Sequence, residues 1–374
     1  MTAPSGPAAA GAPGSAAPHS TCHVMFAFEV GFAVDLRRAE AALRSGAAAR
    51  EPLGGGSRNP GGADFQPQPV RTVQPCPDVQ VAGWSALPEC TVLVFDFGAL
   101  SVRFRFPLEG TLEDHVRLAR ALMGNAALLA HARQAAGEVL QRILPAVTKP
   151  RLGQQVEDYV VFALPSSVQA EWLLHQQRPL VARLLRAEEG ALSDQETQDA
   201  FAQTVRYAPS DLAVVDWNAA LLVDDDPDAA LAVLEYANVE LLEMRHLDDE
   251  LDASLAQAYE LSAQHFRRRS VFMGRTGRDA VRLAELQIDA ATLFEAVNNA
   301  LKLLGDQYLA RVHQAAARRF HTEDYERSVL RKIETLKTIY DKIRDQQVNL
   351  RAEILEWIII ALIAIEIVLS LLRR

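Results

Sequence analysis

Every second residue between 24 and 32 is a valine or a phenylalanine, and this period of two predicts a β-strand with one buried face. Segments 91–97 and 102–106 show the same alternation on either side of a short glycine-containing turn, so they predict a β-hairpin. Segment 157–164 predicts a further strand. A last strand signal lies within 210–226.

Helical patterns lie between these strands. Thr111 followed by Asp114 is typical of a capping box, and it predicts a helical region that runs to about residue 144 with a break near Gly124. A second helix is predicted from Val168, with a kink at Pro179. The mixed order of strands and helices predicts an α+β domain.

From residue 227 onward almost every pattern is helical. Two seams of apolar residues alternate spacings of three and four, as in coiled coils. The first contains Leu283, Leu286, Ala290, Leu293, Val297, Ala300 and Leu304. The second contains Val329, Ile333, Leu336, Tyr340, Ile343, Gln347, Leu350, Ile354 and Trp357. With a junction near residues 319–322, these patterns predict two long helices, which bury their seams either as an antiparallel hairpin or by self-association.

The second seam continues into the most apolar stretch of the chain, 354–372, which is long enough for a transmembrane helix. Trp357 stands at interfacial depth, whereas Glu366 lies well inside and is expected to face a neighbouring subunit or its own helical bundle rather than lipid. Basic residues are more numerous before the stretch than after it, and neither a signal peptide nor a transit peptide is evident. The sequence therefore predicts a tail-anchored protein of a bacterial-type inner membrane, single-pass, with its N-terminal part cytoplasmic.

These patterns divide the chain into four parts. They are a disordered tail at 1–20, an α+β domain at 21–225 with a glycine-rich insert near 54–63, a helical stalk at 226–353 and a transmembrane helix at 354–372. A net charge of −10 argues against bulk binding to nucleic acid. Three widely spaced cysteines indicate a reducing compartment.

One segment is strongly basic. It contains Arg267, Arg268, Arg269, Arg275, Arg278 and Arg282. Three interpretations are open: pairing with the acidic helix 235–252, binding of anionic lipid or RNA phosphates, and a plain solvated turn. Within the acidic helix, Glu243 and His246 are spaced to share one face, as in half of a di-iron site, but a solvated acidic face is the simpler interpretation.

Three segments resemble the "required for meiotic nuclear division" family of membrane proteins. They are LAVVDWNAALLV with the following 231–252, then 299–320, and finally 355–372. The resemblance implies no catalytic residues, and it implies a role in supporting translation at a membrane.

The sequence thus predicts a non-enzymatic, oligomeric interaction or scaffold protein. Its expected partners are a lipid bilayer, further copies of itself, and either a ribosome or RNA or anionic lipid. No cofactor and no small-molecule substrate are indicated. The alternative is a membrane-tethered enzyme, metal-dependent or acting on phosphodiesters, that uses the acidic helix 235–252.

Overall fold

The computed structural model describes most of the chain. The described residues are 20–44, 64–76, 78–267, 285, 288–299, 301–302 and 306–372. Within them, the side chains of 261–267, 301–302, 343–354, 368 and 370–372 are not described. The predicted disordered tail and the glycine-rich insert lie outside the described residues, apart from Ser20.

An eight-stranded mixed sheet forms the centre of the fold, in the order β11-β12-β13-β10-β1-β8-β7-β4. Its strands are β1 Thr21–Glu29, β4 Val70–Pro75, β7 Glu89–Val94, β8 Ala99–Pro107, β10 Glu157–Leu164, β11 Thr204–Val205, β12 Leu212–Val215 and β13 Ala219–Val223. The N-terminal strand β1 pairs antiparallel with β8 and β10, and β10 pairs parallel with β13. The predicted hairpin is confirmed as β7 and β8.

Three two-stranded ladders complete the strand set of the described residues. They are β2 Ala33–Val34 with β9 Val147–Thr148, β3 Asp64–Phe65 with β14 Leu301–Lys302, and β5 Gln80–Val81 with β6 Trp84–Ser85.

Six helices lie on one face of the large sheet. They are α1 Leu36–Arg44, α2 Leu112–Leu122, α3 Ala126–Ile143, α4 Ala170–His175, α5 Arg178–Arg186 and α6 Asp194–Ala200. The predicted capping box is confirmed, because Thr111 and Asp114 cap each other at the start of α2. The break near Gly124 is confirmed as well. At Pro179 the structure has no kink but a new helix, since the proline occupies the first turn of α5.

A second helical layer covers the other face. It consists of α7 Asp228–Arg267, α8 288–299, α9 Gln307–Phe320 and α10 Thr322–Leu372. Alternate β1 residues enter opposite cores, since Phe26 packs with the first layer and Met25 with the second. The prediction of a single buried face for this strand was therefore wrong. A strand at the centre of a sheet with helices on both sides is buried on both sides.

The predicted pair of long seam helices is only partly correct. Ala290, Leu293 and Val297 of the first seam are buried in α8, but Leu301 pairs with Phe65 in a short strand and ends that helix. The other residues of the first seam, Leu283, Leu286, Ala300 and Leu304, lie outside the described residues. The predicted junction is confirmed at His321, where the left-handed backbone separates α9 from α10.

The second seam packs against α7, and the buried residues of both seams belong to one apolar cluster with that helix. Lys332 of α10 bonds to Asp248 and Asp252 of α7 at 2.8 and 2.7 Å, while Glu326, one and a half turns earlier, faces Glu240. Because the contacts advance in the same direction along both helices, α7 and α10 run parallel. Val329 and Leu336 are fully buried in this contact.

The prediction of a membrane-spanning helix at 354–372 was wrong, and so was the inner-membrane location derived from it. Over the part of the chain that the structure describes, no helix is long and apolar enough to cross a membrane. Two carboxylates, Glu356 and Glu366, leave only 357–365 as an uninterrupted apolar run. At about 1.5 Å per residue this run covers roughly 14 Å, less than half of a hydrocarbon layer of roughly 30 Å. The fold is an α+β domain with a large mixed sheet, followed by several C-terminal helices.

Candidate functional site

The acidic helix 235–252 forms the centre of α7, and most of its carboxylates have partners inside the protein. Glu240 contacts His313 of α9 at 3.0 Å, and Asp248 and Asp252 both pair with Lys332. Asp249 accepts a hydrogen bond from Gln155. These contacts tie α7 to its neighbours, so the helix does not present the solvated acidic face that its sequence indicated.

Glu235 makes a buried ion pair with the sheet. Its side chain is fully buried, it lies 3.1 Å from Nη1 of Arg103 on β8, and it accepts a hydrogen bond of 2.7 Å from the Ser101 hydroxyl. Both partners point to the second face of the sheet because strand residues two apart share a face. Burial of an ion pair contributes little net stability, but the removal of one partner is costly.

Glu243 and His246 do lie close together, in a cluster with Glu29 and Arg151. Arg151 bonds to Glu29 through two nitrogens at 2.9 and 2.6 Å, and its Nη2 lies 2.7 Å from Nε2 of His246. His246 also lies 3.3 Å from Glu29 and 3.7 Å from Glu250. The arginine therefore occupies the position between the carboxylates that a metal ion would need.

Glu243 is the group of this cluster whose hydrogen-bonding capacity is least satisfied. Its side chain is fully buried, and neither carboxyl oxygen has a hydrogen-bond partner. Burial, followed by the charge of Glu29, raises the pKa of Glu243 well above its ordinary value, and the charge of Arg151 offsets only part of this effect. A charged form without partners is strongly disfavoured there, so the folded state favours the protonated, neutral form of this carboxyl group.

This neutral carboxyl predicts a pH dependence of stability. The folded state keeps a proton that the unfolded chain releases above about pH 4.5, so the free energy of unfolding falls as the pH rises above that value. Glu243→Gln removes the effect. Relative to the variant, the free energy of unfolding of the natural protein should fall by up to about 1.4 kcal/mol for each unit by which the pH rises.

Urea unfolding of both proteins at several pH values between about 5 and 8 measures this difference. Glu250→Gln, a loss of charge at a half-exposed position of the same helix, is the matched control. Parallel curves for the natural protein and the Glu243 variant would refute a buried neutral carboxyl.

A third charged network surrounds Asp216, between β12 and β13. The carboxylate is fully buried and accepts hydrogen bonds from Nε of Arg186 and Nε of Arg319, both at 2.5 Å, and from the Trp217 backbone at 2.8 Å. Both arginines also pair with the half-exposed Asp199 at 2.6 Å. The network joins α5, α6 and α9 to the sheet.

Trp217 lies partly exposed beside this network. Its side chain is 44% exposed, and its ring contacts that of His321 in a tilted arrangement, with ring centroids 5.0 Å apart. The guanidinium of Arg319 lies 5.5 Å from the indole. The tryptophan therefore covers the Asp216 network from solvent rather than filling the core.

A small cavity, of about 100 Å³, lies next to this turn. Its lining includes the polar residues Asp158 and Asn218 and the apolar residues Val160, Phe162 and Leu184. Burial raises the pKa of Asp158, and a hydrogen bond from its own backbone N–H partly opposes this shift. The cavity is too small to enclose a drug-sized ligand.

Nothing among the described residues has the geometry of a metal site: no three histidine, cysteine, aspartate or glutamate side chains converge on one point. The three cysteines are free and buried. Burial raises the pKa of the Cys90 thiol to about 12. Such a thiol is a poor nucleophile.

The predicted basic segment cannot be placed. Arg268, Arg269, Arg275, Arg278 and Arg282 lie outside the described residues, and of Arg267, the last residue of α7, only the backbone is described. Their role as a phosphate or lipid contact stays a prediction.

The predicted contact residues Trp357 and Glu366 lie on the last part of α10, and both are exposed to solvent. Their neighbours on this helix are exposed too. Ten large apolar side chains are between 49 and 65% exposed: Leu355, Trp357, Ile358, Ile359, Ile360, Leu362, Ile363, Ile365, Ile367 and Leu369. We call residues 355–369 of α10 the apolar tip.

Comparison with known families now adds to this geometry. The family model described as "Uncharacterized protein MJ0711, N-terminal domain" matches residues 19–229, more than half of the chain. The chain belongs to the MJ0711 N-terminal domain family. The predicted resemblance to the "required for meiotic nuclear division" family was wrong, since the match lies with a different family. Its three segments are mainly amphipathic and apolar helices, a pattern that unrelated helical proteins share.

A relative of this MJ0711 family chain is the uncharacterized protein MJ0711 of Methanocaldococcus jannaschii. The two are 21% identical over 241 residues, which cover 63% of this chain and 72% of the archaeal protein. No solved structure matches.

The MJ0711 domain, as matched here, contains β1 to β13 and α1 to α6. It holds Asp216, Arg186, Arg103 and Glu29, whereas their partners Arg319, Glu235 and His246 lie beyond residue 229. The charged networks therefore join the MJ0711 domain to the helices that follow it.

Proposed function

We propose that this protein is a non-enzymatic scaffold that self-associates through the apolar tip of α10. The observation that supports this proposal is the exposure of ten large apolar side chains on consecutive turns of one helix. Complete burial of a leucine or isoleucine side chain stabilises by about 1.5–3 kcal/mol, so ten half-exposed side chains provide a large driving force for association. Exposed apolar patches of this extent mark interaction sites in soluble proteins.

A second copy of the same chain is the partner that we propose for the tip. The spacing of three and four that buries Val329 and Leu336 against α7 continues along α10 to Trp357. Lys332 pairs with Asp248, 84 positions earlier, and on this offset the end of α7 at Arg267 lies beside residue 351. Among the described helices, α10 therefore extends about twenty residues beyond α7. An identical helix offers the same seam and can continue the contact.

Glu366 gives this association a preferred arrangement. A single charged residue within an apolar helix contact lowers stability but favours the register and copy number that leave it solvated or paired. We therefore expect Glu366 to lie at the edge of the contact between copies.

The alternative, an enzyme that uses the acidic helix 235–252, receives less support. Glu235, Glu240, Asp248 and Asp252 pair with cationic side chains of the same chain, and Arg151 lies between Glu29 and His246. A catalytic role would require several of these contacts to break.

Native mass spectrometry and analytical ultracentrifugation of the full chain test the proposal. The natural protein should form oligomers at micromolar concentration, and the triple change Ile359→Gln, Ile363→Gln and Ile367→Gln should raise the dissociation constant at least tenfold. The matched control replaces the same three residues with valine, which keeps the tip apolar and should preserve association. The proposal would be overturned if the natural protein is a monomer, or if the glutamine variant forms oligomers of the same size as the natural protein does.

The variant Glu366→Leu tests the role of the charge. It should tighten association and change the distribution of oligomer sizes. An unchanged distribution would place Glu366 outside the contact while leaving the tip as the interface.

A further inference from the structure

Three basic side chains lie side by side on the second face of the sheet. His23 of β1 and Arg105 of β8 are direct neighbours in the strand register, and Arg103 precedes Arg105 by two residues on the same face. The residues between them, Phe104 and Phe106 among others, point to the opposite core. We call His23, Arg103 and Arg105 the arginine face.

These side chains carry buried donors without acceptors. His23 and Arg103 are 8 and 9% exposed, and Arg105 is half-buried. Nε of both arginines and Nδ1 of His23 are shielded from solvent and have no hydrogen-bond partner. A buried donor left unpaired costs about 1–3 kcal/mol, and more when it is charged. Natural proteins rarely keep three such groups together unless something else supplies the acceptors.

The local charge is positive. Arg103 pairs with Glu235, but no acidic group among the described residues lies within ion-pair distance of Arg105. Burial, and then the charges of Arg103 and Arg71, lower the pKa of Arg105, while Glu89 and Asp228 oppose this from farther away. Burial and the two arginines also lower the pKa of His23, so its ring is neutral and Nδ1 can donate one hydrogen bond.

We propose that the arginine face binds the phosphate group of a small molecule, with Arg105 as the principal contact. A guanidinium donates two parallel hydrogen bonds to a phosphate, and the partly exposed Arg105 can offer both to an anion that arrives from solvent. The anion reaches the half-exposed Arg105 first, since Arg103 and His23 are more deeply buried. Free phosphate and a phosphate ester offer the same chemistry to this site.

Isothermal titration of the full chain with inorganic phosphate, adenosine monophosphate and uncharged adenosine tests the proposal and separates the two sources. Saturable binding of phosphate or of the nucleotide is expected, with no binding of adenosine alone. Tighter binding of the nucleotide would identify an ester as the ligand, and equal binding would identify free phosphate. The affinity should fall as the salt concentration rises.

Arg105→Gln should weaken binding at least tenfold, whereas Arg120→Gln, at an exposed arginine of α2, is the matched control and should leave it unchanged. Circular dichroism checks that each variant is folded. If Arg105→Gln does not fold, Arg105→Lys keeps the charge but loses the paired donors and should still weaken binding. The proposal is overturned if the natural protein binds neither anion at about 10 mM, where even weak sites are detected. It is also overturned if the Arg105 variants bind as tightly as the Arg120→Gln control.

Discussion

Asp216→Ala is expected to lower the free energy of unfolding by about 3–5 kcal/mol, because it leaves two arginines inside the protein without their main counter-charge. The side chains of Arg319 and Arg186 are only 10 and 21% exposed, and each donates from Nε to Asp216. Equilibrium unfolding in urea, followed by circular dichroism, measures the loss.

Asp199→Ala is the matched control for this change. Asp199 pairs with the same two arginines, but its side chain is 48% exposed. Exposed ion pairs contribute about 0–1 kcal/mol, so the control should cost far less than the change at Asp216. Equal losses would mean that solvent reaches the whole network and that the burial of Asp216 has no energetic consequence.

Gly98→Ala should also destabilise the fold strongly, by at least about 3 kcal/mol. Gly98 has a φ of +91°, which costs an alanine about 1–2 kcal/mol by itself. A Cβ at this position would lie 2.0 Å from the backbone oxygen of Gly31, so the ends of β1 and of the β7–β8 turn would have to separate. The hydrogen bond of 2.8 Å from Val30 N–H to the Gly98 carbonyl would weaken with them.

Gly83→Ala separates the two causes of this loss. Gly83 has a similar φ of +86°, but nothing lies within 4 Å of an added Cβ. The control should therefore lose only the conformational part, about 1–2 kcal/mol. Urea unfolding of both variants provides the comparison, and similar losses would show that the close approach of Gly98 to Gly31 is unimportant.

Several central strands and the helices that follow Thr111 were predictable because their signals are local. The alternation in 102–106, the capping box at Thr111 and the break at Gly124 each involve a few adjacent residues, and each appears in the structure. The pairing of the later helices was not predictable in the same way. Whether α10 packs on α9 or on α7 depends on contacts 84 residues apart, such as that of Lys332 with Asp248.

The burial of charged groups on the sheet depends on distant contacts in the same way. Arg103 and Arg105 alternate with Val102, Phe104 and Phe106, and alternation alone assigns such arginines to a solvent-exposed face. That face is covered by α7, whose Glu235 pairs with Arg103 from 132 positions away. The signal that was available is the polar character of the second face of β1, where His23 and Glu29 flank Met25 and Ala27.

The second helical layer has a consequence for how this family is delimited. The match to the family model ends at residue 229, two residues into α7. It therefore contains the large sheet and the first helical layer but not the second. A chain cut there would expose Met25, Tyr159 and Val161, which now pack against α7 and α9. It would also leave the buried Arg103 without its ion-pair partner Glu235. The segment that the family model covers is therefore shorter than the segment that packs together as one folding unit.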